Sequence, residues 1–233
     1  MATDYRKVKI LVLGDSGVGK SSLVHVITEG EVLANPVSTV GCVVDVKLHE
    51  YSRSMSSSPV SFFVEFWDVG GSMSHEKGRG IFYQQANGVI LVHDSTNRKS
   101  HNNLSKWLTE YHRYKTGRTD SLAPQDTNES GFDPEKFIEQ EVPLLIVGTK
   151  EDQVSGRRSP PTQRSGNLLG ANSITMNCKD IQHFSLSSQQ YIETMKFIDK
   201  VVEHKYYPSL RQTGSSLERR QSFNRRQALN TQT

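Results

Sequence analysis

The stretch that most constrains this chain is GDSGVGKSS, residues 14–22. A compact apolar run precedes it at 8–13 and reads as a buried strand. A helical pattern follows over 20–29, with Leu23, Val24, Val26 and Ile27 on one face. Between them, Gly14, Gly19, Lys20 and Ser21 satisfy G-x-x-x-x-G-K-[ST]. Glycines let successive backbone N–H groups, here those of Ser16, Gly17, Val18, Gly19 and Ser22, wrap around phosphate oxygens. The helix behind them points its positive N-terminal end the same way. Lys20 reaches the outer phosphates, and Ser21 offers a hydroxyl to Mg²⁺.

The segment 60–67 alternates as a strand and ends at Asp68, followed by Gly70, Gly71 and Ser72. A carboxylate at the end of a strand beside the first can hold Mg²⁺, directly or through water. Gly70 and Gly71 let the backbone approach a terminal phosphate and swing away when it leaves. After an apolar run at 143–147 comes GTKEDQ. Asp152 can accept from both N1–H and the 2-amino group of guanine, and adenine offers neither. The Lys150 stem can lie against the base.

Around these motifs, 42–48 alternates with Val44, Val46 and Leu48 on one side and pairs with 60–67 as a hairpin. Runs at 88–93 and 173–178 read as strands. Helical spacing appears at 99–114 and at 188–206, the latter with Ile192, Met195, Phe197, Ile198 and Val202 as its core stripe. Mostly continuous apolar strands alternating with helices predict an α/β fold with a mainly parallel sheet. Ligands bind such sheets at the carboxyl ends of the strands. Residues 116–141 read as an insertion with a short helix near 134–140, 155–170 as a loop, and 208–233 as a disordered basic tail rich in Ser, Arg and Gln.

The net charge of +3 is too small to argue for nucleic acid. No apolar run reaches a membrane span, and the N-terminal residues do not read as a signal peptide. Cys42 and Cys178 form no ligand spacing, which favours a reducing, cytoplasmic setting.

GDSGVGKSS, WDVGG, a TVGC segment, DVGGS, VHD, a long insertion before the fifth strand and GTK-x-D stand in this order. The pattern resembles the Ras superfamily of small GTPases, closest to the Rab branch and within it to the Rab-like protein three subfamily. The resemblance covers residues 5–207. It implies a P-loop GTPase fold with a mostly parallel six-stranded sheet and five helices, binding of GTP and GDP with Mg²⁺, and two switch segments that meet effector and regulator proteins. It makes Thr39 the switch threonine that closes over Mg²⁺ and the γ-phosphate, with Ser21 and Asp68 as the other metal residues. It makes Cys178 and Lys179 backbone contacts to the base.

The chain departs from that pattern at three places. Thr149 stands where the family has Asn, so guanine choice falls to Asp152 and nucleotide is expected to bind more weakly or exchange faster. Ser72 stands at the position of the Gln that orients the attacking water, and is too short to do so. Intrinsic hydrolysis is therefore expected to be slow, with His75 and Arg79 read as solvated switch residues. The last cysteine is Cys178, so the family's prenyl anchor is not expected. Arginines of the tail offer weak attraction to acidic partners or membrane surfaces, and Ser222 in RRQS is open to phosphorylation or unmodified. A GTP/GDP switch leads. A nucleotide-stabilised, dimeric interaction module is the alternative from another class. Asp152 and the motif order argue against an ATP-using enzyme.

Overall fold

The computed structural model describes residues 5–53, 58–116, 142–154 and 171–209. The expected insertion with its short helix, the 155–170 loop and the tail beyond 209 lie outside them. Six strands form one sheet in the order β2-β3-β1-β4-β5-β6. They are β1 (Lys7–Leu13), β2 (Cys42–Tyr51), β3 (Val60–Val69), β4 (Gly88–Asp94), β5 (Leu144–Thr149) and β6 (Asn172–Thr175). The β2–β3 pair is antiparallel and every other pair is parallel. Among the described residues the α-helices are α1 (Lys20–Glu29), α2 (Glu76–Arg79), α3 (Arg98–Asn102), α4 (Leu104–Lys115) and α5 (Gln189–Tyr206).

Both faces of the central strands are covered, which is why they read as unbroken apolar runs. Val8, Ile10 and Val12 of β1 pack with Leu23 and Ile27 of α1 and with Ile198 and Val201 of α5. Leu11 and Leu13 face the other way, toward Leu104, Trp107 and Leu108 of α4. Helix α1 ends at Gly30, whose φ of 71° lets its N–H reach back to the Val26 carbonyl. Helix α5 begins with the Ser188 hydroxyl accepting from the Tyr191 N–H at 3.1 Å.

Several sequence-based bounds shift. Strand β2 runs on to Tyr51, because its far end is strapped to α5. His49 lies 2.7 Å from Asp199, and the Tyr51 hydroxyl donates to Glu203 at 2.9 Å. Strand β5 extends through Thr149, so the base-loop threonine belongs to the sheet, while β6 stops at Thr175. The 99–114 helix is interrupted at Asn103, whose side chain is drawn to Asp15. In α5 the buried set is Thr194, Phe197, Ile198, Val201 and Val202, and Ile192 is exposed. On the edge strand, Val44, Val46 and Leu48 share a side as expected. That side is exposed, at 43%, 52% and 59% for Val44, Val46 and Leu48.

His93 lies in β4 with its ring edge-on to His101, centroids 4.9 Å apart. Burial, aided by the His101 charge, pushes its pKa down to about 4. The unfolded chain then takes up a proton near pH 6.5 that the folded chain refuses. Stability present at pH 7 should decline by about 2–3 kcal/mol as pH falls from 6.5 toward 4. Urea unfolding across that range should show the slope, and His93→Gln should flatten it.

Candidate nucleotide site

The turn after β1 is shaped by what lies behind it. A Cβ on Gly14 would sit 2.2 Å from the Val92 carbonyl oxygen of β4, so the loop starts flush against the neighbouring strand. Gly19, at the mouth of α1, has φ of 94°, a conformation that favours glycine. The Lys20 ammonium folds back and donates to the carbonyls of Gly14 and Asp15, each at 2.9 Å. Burial lowers its pKa, against the opposing pull of Asp68 and Asp15.

Register places Asp68 beside Val12, level with the end of β1. Its Oδ2 accepts from the Ser21 hydroxyl at 2.6 Å and from the Thr39 hydroxyl at 2.9 Å. Those two hydroxyls are themselves 3.0 Å apart. Asp68 Oδ1 is buried without a hydrogen-bond partner in the protein. One carboxylate with an unused oxygen and two hydroxyls form a hard-oxygen set, which fits Mg²⁺ when phosphates and water complete the shell.

At the other end, the Thr149 hydroxyl contacts the Val18 carbonyl and lies 3.1 Å from the His93 carbonyl. The tie between base loop and phosphate loop is therefore kept by a threonine, although its single hydroxyl has no second group to offer a base. Lys150 takes φ of 58° and pairs with Asp94 at 2.6 Å. Burial opposes ionisation of Asp94, but Lys150 and the two Thr96 donors outweigh it and hold the carboxyl below its ordinary value. Asp152 faces Lys179 at 3.9 Å. The Cys178 thiol is pushed up to about 12 by burial, so it stays protonated near neutral pH.

These groups surround one cleft of about 670 Å³. Ser16, Gly17, Gly19, Lys20, Ser21, Ser22, Thr39, Gly71, Thr149, Lys150, Asp152, Cys178 and Lys179 all line it. Val18 contributes its carbonyl from behind, and Asp68 sits at the base through Ser21. The sequence reading missed Val32, Leu33 and Ala34 on one wall. Nothing in their spacing marks them. It also missed Asp94, though a carboxylate closing an apolar run, as at Asp68, was a usable signal.

Ser72 does not line the cleft. Its hydroxyl lies 2.7 Å from that of Ser74. His75 is exposed as expected, but Arg79 is not solvated. The Arg79 guanidinium forms a bidentate pair with Glu110 at 2.7 and 2.6 Å, stacks 4.1 Å from the Trp107 ring centre, and donates to the Ser72 carbonyl at 3.1 Å. Glu110 also accepts from the Tyr83 hydroxyl at 2.7 Å. Trp107 and Asn103 each donate to Asp15 at 2.8 Å, so α4 ties the phosphate loop to the segment after Gly71.

A phosphate loop, a carboxylate at the end of β3 and a base loop after β5, on a sheet of this order, define a P-loop GTPase fold. The family described as "Ras of Complex, Roc, domain of DAPkinase" matches residues 9–122. Rab-like protein 3 of Danio rerio is 39% identical over 226 residues, covering 94% of this chain and 95% of that protein. Rab-like protein 3 of Homo sapiens is 39% identical over 209 residues, 86% of each. Small GTPase LIP1 of Arabidopsis thaliana is 40% identical over 172 residues, 71% of this chain and 46% of that protein. The chain belongs to the Rab-like small GTPases of the Ras superfamily.

Removing Arg79 strands the Glu110 charge in a buried setting. Arg79→Ala should lower unfolding free energy by about 3–5 kcal/mol, read by denaturant titration. Arg79→Met combined with Glu110→Met should recover most of that loss.

Proposed function

We propose that this chain is a Mg²⁺-dependent guanine-nucleotide switch with slow intrinsic GTP hydrolysis, acting in regulatory signalling or trafficking. The observation that carries the reading is the meeting of Ser21, Thr39 and Asp68 around an unpartnered carboxylate oxygen. Thr39 arrives there from the segment between α1 and β2. Backbone N–H groups of residues 16–22 and Lys20 hold the phosphates, and Asp152 selects guanine. Cys178 and Lys179 border the base. Ser21, Thr39 and Asp68 hold the metal, which when bound neutralises charge between the outer phosphates. Residues 36–41 and 69–82 then order or loosen with the terminal phosphate, presenting different surfaces to effectors and regulators.

Slow hydrolysis follows from position 72. The Ser72 side chain ends on Ser74, and Arg79 is committed to Glu110, so neither is free to orient a water or steady developing charge. Single-turnover assays should show little hydrolysis in the wild type, and a rise of about tenfold or more in Ser72→Gln. Lys20→Ala should lose most nucleotide affinity. Asp152→Ala should weaken guanine nucleotides selectively, checked by competition with adenine nucleotides.

A second reading is a nucleotide-stabilised, dimeric interaction module. It is favoured by the Arg79 clamp, which orders the segment after Ser72 with protein groups alone, and by the exposed apolar side of β2. Light scattering with GTP analogue and with GDP separates the two. A nucleotide-independent dimer supports the module, and nucleotide-dependent assembly supports the switch.

A further inference from the structure

A second cleft, of about 500 Å³, lies between α2 and α4 and shares no lining residue with the nucleotide cleft. Lys106, Trp107, Glu110 and Arg113 fall on one face of α4 and form its long wall. Met73, Glu76 and Arg79 form the facing wall, and Lys99 joins from α3. The acidic groups of this cleft already have partners. Asp15 accepts from Trp107 and Asn103, Glu110 accepts from Arg79 and Tyr83, and Glu76 faces Arg113 at 3.5 Å. Two cations are left over. Lys99 and Lys106 are exposed and have no ion-pair partner among the described residues. Met73, on the opposite side, is 72% exposed, an unbranched apolar side chain able to pack on varied shapes.

We propose that this cleft docks a short acidic segment of a partner protein, its carboxylates on Lys99 and Lys106 and one apolar side chain against Met73. Charge selects this occupant. A second copy related by a two-fold axis brings lysine to lysine and is repelled. Residues 210–233 of this chain carry five arginines and one glutamate, which is the wrong sign. The volume suits a few side chains of one segment and not a folded interface. The wall behind the lysines is preformed, because Arg79 is bound bidentately to Glu110 and stacks 4.1 Å from the Trp107 ring centre. An incoming carboxylate therefore meets Lys99 and Lys106 without dismantling a buried pair, and little ordering cost falls on the groove. Met73 and Glu76 belong to the 69–82 segment, so a docked partner bridges that segment to α4.

The test selects random displayed peptides of about a dozen residues on the full-length protein, then measures the affinity of the enriched sequences by fluorescence anisotropy. Enriched peptides should combine acidic residues with a neighbouring aromatic or aliphatic one. Their affinity should fall about tenfold or more in the Lys99→Glu, Lys106→Glu double variant, and by a similar factor between about 0.05 and 0.5 M salt. The double variant should keep the thermal unfolding midpoint of the wild type, which shows that it folds. Met73→Ser should weaken the same peptides by about threefold or more. No enrichment, enriched peptides without acidic residues, or affinities that ignore the reversed lysines overturn the proposal. Two further results in place of peptide binding also overturn it. Attachment to phosphatidylserine vesicles that is lost in the double variant makes the lysines a membrane surface, and self-association lost in the same variant makes the cleft a contact between copies.

Discussion

Everything at the site depends on burying both faces of β1. Val8, Ile10 and Val12 are taken by α1 and α5, and Leu11 and Leu13 by α4. A strand so enclosed cannot bend away or end raggedly, and its neighbours must run in register beside it. The parallel pairing with β3 and β4, and of β4 with β5, then delivers every functional loop to one edge. Phosphate loop, Asp68, Asp94 and the Thr149 loop meet because hydrogen-bonded strands end together, not because they attract one another.

Within that edge, polar groups that would be costly alone are arranged to need each other. Asp68 is almost fully buried, yet one oxygen receives two hydroxyls and the other has no hydrogen-bond partner in the protein. An unpaired buried carboxylate oxygen is expensive, so such an arrangement gains stability from a bound metal and phosphate. The Lys20 ammonium, lowered by burial and parked on two carbonyls, is a matching charge on the same cleft.

The second switch is restrained differently from the first. Thr39 is held by hydroxyl contacts to Ser21 and Asp68 at the mouth of the cleft. The segment from Ser72 to Tyr83 is held by Arg79 and Glu110, inside the protein and away from the cleft. A guanidinium bound to a carboxylate and stacked on Trp107 is also held away from the cleft.

Motifs whose chemistry is local were legible in the chain. Gly14 to Ser22 carry their own logic, since loop, lysine and helix start are contiguous, and Asp68, Thr149 and Asp152 could be placed by strand ends and order. The fate of a long or short side chain could not. Arg79 looked like a solvated switch residue because its partners, Glu110 and Trp107, are some thirty positions away and become neighbours only when α4 packs on the sheet. Ile192 sits on the expected helical face by spacing, but the buried stripe runs through Thr194, Phe197, Ile198, Val201 and Val202 and leaves it exposed. Chain order therefore settles which chemistry is present, because that is written in contiguous residues. Packing settles which of those residues is free to act, because the space beside a glycine and the partner of a buried charge come from segments far apart in the chain.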